Sequence, residues 1–380
     1  MAEVSIEKFD DRVAVGLGEV LWSWQCCDDC KAIKTCRSTC RSPIPQVQRY
    51  LQFYEALVLD YHDELPLEGH PFKTHGDIWK AISLLTNRPE LTRAEFSKLI
   101  SVFHSPVAPV DYKPLMDATA LVVKIVCMID CSNLHYTPGR LEEGNSRPLW
   151  KDHVPFNKYL QDLFTTQNHP VWSSQYGQNE ILSARKGQLR ATKLMKHLNL
   201  TFCPTHDIRG HLRLDLRRNE LHIFHYASFL KENLRTKNTY SHSDLLPRQL
   251  LLEVLDSTQR ILFPLSDAKS RRLLRSLISN NDCSFDPETE KFEFSTVCNP
   301  GEEVIPYIYF ADQLEELFQE LQSPQPRTWL EKQMQRRSSA RYMMLATLIG
   351  VAFAVLLGVL ALILSSVQTW IAYQAWKHPV

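Results

Sequence analysis

The most uniform apolar stretch of the chain runs from Tyr342 to Val367 without a single charge. About 26 residues of helix are more than enough to cross a hydrocarbon core of roughly 30 Å, and a soluble helix of that length would show a polar face. Upstream the pattern is amphipathic and mainly helical. Val47, Tyr50, Leu51, Tyr54, Leu57 and Val58 form one stripe, and 74–86 forms another through Ile78, Ile82 and Leu85. Thr92 to Glu95 has the spacing of a capping box and predicts a helix over 94–103. Residues 115–129 are apolar on nearly every side but are interrupted by Asp117 and Lys124, which predicts the central buried helix of the N-terminal part rather than a second span.

Further helices are predicted over 157–165, 181–198, 246–261, 267–278 (with Ser266 as N-cap) and 312–321, and another over 328–337. Between them the period changes to two at His211 to Leu216 and again at Glu220 to Tyr226, which predicts a β-hairpin turning at 217–219. A second hairpin is expected from 291–297 and 304–310. The fold class is therefore α+β, mainly α-helical with two short hairpins, plus one C-terminal transmembrane helix. The expected layout is a Cys-rich segment (1–43), a helical part (44–140), an α+β part (141–322), a basic stalk (323–341), the span (342–367) and a short tail (368–380).

Charge adds an orientation. Arg327, Lys332, Arg336, Arg337 and Arg341 precede the span against Glu331 alone, whereas the residues after it carry only Lys377 and His378. The positive-inside rule places the large N-terminal part in the cytosol, and Tyr342, Trp370, Tyr373 and Trp376 suit the headgroup layers. With so little chain after the span, insertion is expected to be post-translational, at the endoplasmic reticulum or another internal membrane. Met1 to Arg12 is acidic and lacks the apolar core of a signal peptide. Inside the span, Ala346, Gly350, Ala354 and Gly358 recur every four residues, a spacing that would let a second copy approach as a homodimer.

The 43 basic and 43 acidic side chains cancel, so no global field draws the chain to nucleic acid. Half of the ten cysteines crowd between Cys26 and Cys40, and a cytosolic location implies free thiols. Cys27, Cys30, Cys36 and Cys40 could close a tetrahedral zinc site. The interleaved basic residues resemble the cysteine cluster of fungal binuclear-zinc DNA-binding domains, but the six cysteines and second C-x2-C of that cluster are missing. The simpler reading is a reduced, Cys-rich segment with no cofactor.

Three other groupings bear on chemistry. Asp60, His62, Asp63 and Glu64 point apart on a helix and suit a solvated loop. Cys127 and Cys131 share a face and suit core packing, and His222 and His225 fall on opposite faces of a strand. His206 and Asp207 are the one candidate proton-transfer pair, in a loop bounded by Pro204.

The blocks Thr205 to Leu216, Leu246 to Asp256, Ile261 to Ser266 and Trp329 to Lys332, with the glycine-bearing span and the tail from Gln374 to Val380, resemble a family of membrane-anchored proteins of filamentous fungi. The resemblance covers most of the chain from about Leu51 onward and excludes the cysteine cluster. It implies a fungal host and a context beside secondary-metabolite clusters, and it supplies no reaction or site residues. Three readings follow. One is a non-enzymatic domain that binds a protein partner or scaffolds an assembly at the bilayer. The others are a membrane-associated enzyme acting on a hydrophobic metabolite through His206 and Asp207, and a zinc-dependent membrane-tethered regulator.

Overall fold

A computed structural model describes residues 9–25, 44–63, 71–103, 112–131, 148–173, 179–239, 245–280, 285–291, 297–302, 304–324 and 340–377. The chain divides into two compact units, Met1–Ser323 and Pro324–Val380.

The first unit begins with five helices: α1 (Asp11–Trp22), α2 (Ile44–Asp63), α3 (His75–Asn87), α4 (Arg93–Ser101) and α5 (Tyr112–Cys127). Their ends are built by local chemistry. Asp10 caps α1 by accepting from the backbone N–H of Arg12 at 2.9 Å and of Val13 at 3.0 Å. Thr74 and Asp77 form a reciprocal capping box on α3, and Thr92 and Glu95 form the predicted one on α4. The predicted stripe of α2 is the buried one, through Val47, Tyr50, Leu51, Tyr54 and Val58. Asp60, His62 and Asp63 lie in the last turn of α2 rather than in a loop. As expected, α5 is central: α2, α3 and α4 all pack on it, and the Tyr50 hydroxyl donates to the Ile125 carbonyl at 2.7 Å.

The second half of this unit carries α6 (Phe156–Leu163), α7 (Asn179–Gln188) and α8 (Ala191–Leu198), then β1 (Thr201–Thr205), β2 (Leu214–Asp215) and β3 (Glu220–Phe224). After these come α9 (Ala227–Thr239), α10 (Arg248–Asp256) with a π-helical continuation over Ser257–Leu262, α11 (Ala268–Ile278) and α12 (Ala311–Gln322). The sheet order is β1-β3-β2, with β1 parallel to β3 and β2 antiparallel to it. The predicted hairpin exists as β2 and β3, paired through Leu214↔Leu221 and Asp215↔Glu220. Strand β1 was not anticipated; it sits at the sheet edge, where the missing N–H of Pro204 costs no ladder bond. Helix α9, also unanticipated, packs on α2 and α10, so one continuous hydrophobic core runs through both halves.

Three boundaries differ from expectation. The helix expected over 181–198 breaks at Leu189 and Arg190, where Arg190 is extended (φ −61, ψ 139), although Leu182, Leu189, Leu194 and Leu198 all remain buried. The N-cap of α11 is Asp267, which accepts from Lys269 N and the Ser270 hydroxyl, and not Ser266. Residues 304–310 form no strand among the described residues. Their backbone N–H groups turn to a buried side chain instead: Ile308, Tyr309 and Phe310 donate to the Glu253 carboxylate at 2.7, 2.9 and 3.0 Å.

The second unit contains α13 (Ala340–Lys377), whose segment Thr347–Gln374 is long and apolar enough to cross a membrane, with a mean hydropathy of 2.8 and none of its window buried. The helix continues past Val367 to Lys377. The helix expected over 328–337 lies outside the described residues.

Close approach fixes α1. A Cβ on Gly18 would lie 1.9 Å from the Trp24 ring, and Trp24 is itself pinned by a 3.1 Å bond from its Nε1 to Glu232. Gly18→Ala is therefore expected to lower stability by about 1–3 kcal/mol, whereas Gly350→Ala, whose Cβ meets nothing within 4 Å, leaves it unchanged. Denaturant unfolding of the two variants in detergent checks this, and equal midpoints would refute it.

Candidate functional site

The His206 and Asp207 pair comes apart in the structure. His206 presents an accessible edge, stacks on Phe53 with ring centroids 5.4 Å apart, and shares a 2.7 Å hydrogen bond between Nδ1 and the Tyr226 hydroxyl. Burial against these rings lowers its pKa, the Lys124 charge adds to the shift, and the Asp130 carboxylate opposes it. Asp207 is buried and faces elsewhere. Its carboxylate accepts from the Arg209 backbone at 2.9 Å, from the Arg209 guanidinium, and from Asp130 N at 3.3 Å, which caps the 3-10 turn at Ile208–Gly210. No hydrogen bond joins it to His206 among the described residues, so it cannot orient that ring.

A second Ser/His contact, not anticipated from sequence, lies deeper. His211 is fully buried and its Nε2 is 2.7 Å from the Ser257 hydroxyl. Direction decides its chemistry. Phe224 N donates to His211 Nδ1 at 3.2 Å, so Nε2 must hold the proton and donate to Ser257. Ser257 in turn donates to the Glu253 carbonyl at 2.6 Å. A nucleophilic serine requires the reverse polarity, with the imidazole accepting from the hydroxyl. The pair is a structural clamp between β3 and the π-helical turn.

His225 is held similarly, with Nδ1 accepting from Asp286 N at 3.2 Å. The Asp286 carboxylate accepts from Ser228 N, the Ser228 hydroxyl and Glu288 N. His222 lies on the strand beside Glu220, apart from His225 in role as the odd offset predicts. Lys231, 1% exposed, donates to the carbonyls of Glu288 and Lys291 at 2.9 and 2.7 Å.

No group of three or more His, Cys, Asp or Glu side chains converges on a metal position among the described residues. Cys27, Cys30, Cys36 and Cys40 lie outside those residues. Cys127, Cys131, Cys203 and Cys298 are unbridged thiols, the first two buried in the core. In α13, Gly350, Ala354 and Gly358 lie on an exposed helix; nothing is described of the Ala346 side chain.

Two of the clefts among the described residues of the first unit bear on ligand binding. The larger, about 520 Å³, is lined by Leu160, Gln161, Phe164, Thr165, Thr166 and Tyr309 among others and contains no charged side chain. The smaller, about 350 Å³, lies between α7, the start of α8 and the π-helical turn, and is lined by Lys186, Arg190 and Arg260. Asp256 sits beneath its basic wall, fully buried, accepting from the Tyr307 hydroxyl and pairing with Lys186 at 3.2 Å and Arg260 at 3.0 Å. The Lys186 ammonium also lies 5.0 Å from the centre of the Tyr307 ring. Compared with known proteins, the chain matches no family model, no curated protein and no solved structure.

The buried histidines set the acid response. Burial depresses the pKa of His211 to about 3 and that of His225 well below the ordinary 6.5. Each stays neutral in the fold but protonates when unfolded, so the unfolded chain binds more protons between the two values. Stability is then complete above about pH 6.5 and falls as pH drops toward the folded value, by about 1.4 kcal/mol per pH unit per such group. Thermal unfolding of the full chain between pH 8 and pH 5 is expected to show a falling midpoint below about pH 6.5. A flat profile would sink this account.

Proposed function

We propose that this chain is a single-pass membrane protein that holds its N-terminal unit on the cytosolic face of an internal membrane, where the unit acts as a recognition or scaffolding domain. The observation that carries the reading is α13: a stretch of 28 residues with its apolar side chains exposed, which water alone would not tolerate. The excess of Arg and Lys before the span over the residues after it supports the cytosolic orientation. Capped helices and a continuous core give the first unit the rigidity that a recognition surface needs.

The enzyme reading is less well supported. Its base would be His206 alone, since Asp207 is committed to Arg209 and Asp130.

Asn199 supplies a built-in reporter of topology. The sequon Asn199-Leu200-Thr201 places Asn199 exposed at the C-terminal end of α8, in the left-handed region (φ 52), so a transferase in the lumen would find it accessible. Full-length protein with an N-terminal tag, inserted into sealed microsomes, is expected to lose the tag to protease and to leave Asn199 unmodified. A protected tag together with a glycan on Asn199 would reverse the orientation and remove the cytosolic role.

A further inference from the structure

The smaller cleft has a charge pattern that the scaffolding role does not use. Three cations line it, Lys186, Arg190 and Arg260, and no acidic side chain does among the described residues. Asp256, buried beneath the wall, offsets one of these charges. Asp267 lies near enough to Arg190 to offset part of another, with its oxygens bonded to Lys269 N and to the hydroxyls of Ser270 and Thr192, so the wall keeps a net positive charge.

Two of the three cations are held by a buried carboxylate. Lys186 is clamped between the Asp256 carboxylate and the face of Tyr307, with its side chain 21% exposed. Arg260 reaches Asp256 through one terminal nitrogen at 3.0 Å while its side chain stays 40% exposed at the cleft wall. The π-helical register after Asp256 is what carries Arg260 into this wall; π turns commonly occur at functional sites. Arg190 enters from the break between α7 and α8, and no hydrogen bond engages its side chain among the described residues. Ser183 and Ser266 are also among the lining residues. Gly187 completes the wall, and a Cβ there would meet nothing within 4 Å.

We propose that this cleft is an anion site that binds a phosphate monoester about the size of one sugar or lipid headgroup. Three cations on one wall, two of them fixed by a buried carboxylate, together with two lining serines match the three acceptor oxygens of such a group. A volume of about 350 Å³ is at the small end of ligand sites. It admits a phosphorylated headgroup or sugar and excludes a dinucleotide. The same chemistry serves a free metabolite or a phosphoinositide, so the test must separate the two sources.

The full chain in phosphatidylcholine nanodiscs would be titrated calorimetrically with inorganic phosphate, glycerol 3-phosphate and a short-chain phosphatidylinositol 4-phosphate. Saturable binding of at least one ester is expected, weakening as salt rises. Tighter binding of the lipid ester than of glycerol 3-phosphate assigns the site to a headgroup, and the reverse order assigns it to a free metabolite. Arg190→Gln removes one charge-assisted contact and is expected to weaken binding about tenfold. Gly187→Leu starts from a Cβ position that meets nothing within 4 Å and adds bulk to the lining; it is expected to abolish binding, with thermal unfolding unchanged in both variants. No saturable binding of any of the three probes, or affinity indifferent to both substitutions, would overturn the proposal.

Discussion

A carboxylate taken out of water must find several donors or a cation, because the desolvation cost of the bare ion exceeds almost anything packing returns. Helix α10 buries two of them, Glu253 and Asp256, one turn apart and both with no exposed surface. Much of the second half of the first unit is arranged to meet that demand. Glu253 collects three successive backbone N–H groups from 308–310 and the Gln249 amide. Burial still raises its pKa, so desolvation outweighs even this set of donors. Asp256 takes the Tyr307 hydroxyl, Lys186 and Arg260.

Those partners are spread over three separate segments, and each is thereby placed. The segment 304–310 cannot be a strand while its N–H groups serve Glu253; a ladder and a carboxylate compete for the same donors. Tyr307 N donates to the Trp172 carbonyl at 2.8 Å, which ties the segment that precedes α7 to the same loop. Lys186 is drawn inward from α7 toward Asp256, while its neighbour Arg185 turns to Glu315 on α12 at 2.7 Å. Two adjacent basic residues that look alike on a helical wheel thus serve different acids on different elements.

This explains what could be read from the chain and what could not. Signals contained in a few consecutive residues were legible. The Thr92 to Glu95 box, the stripe through Tyr50 and Tyr54, the central helix at 115–129, the β2–β3 turn and the apolar helix α13 are each set by local spacing. Features that depend on a distant partner were not. Helix α9 has a polar sequence, KENLRTKNT after its first turn, because Lys231 and Glu232 are buried against backbone carbonyls, Trp24 and Arg235 rather than against an apolar face. The alternation at 304–310 resembled a strand because nothing nearby reveals that Glu253, some fifty residues earlier, claims its N–H groups. Strand β1 was hidden by Pro204, tolerable only at an edge. For the site, His206 was legible as a candidate base, but its pairing with Asp207 rested on adjacency, and neighbouring side chains generally diverge.

Direction of donation separates polar groups that hold a fold from those free to act on a ligand. His211, Ser257, His225, Asp286, Glu253 and Lys231 each engage buried backbone or side-chain partners, and moving any one would orphan a buried group at a cost of about 1–3 kcal/mol. Such groups stiffen the unit and are poor candidates for chemistry because no substrate atom can replace their partners. His206, Lys186 and Arg260 differ in that they combine a fixed attachment at one end with an accessible or partly accessible surface at the other. The carboxylate that requires Lys186 and Arg260 for its own burial is also what holds both cations at the cleft wall. Stability and ligand readiness are therefore coupled through Asp256: the cost of burying one anion is what organises the wall that faces another.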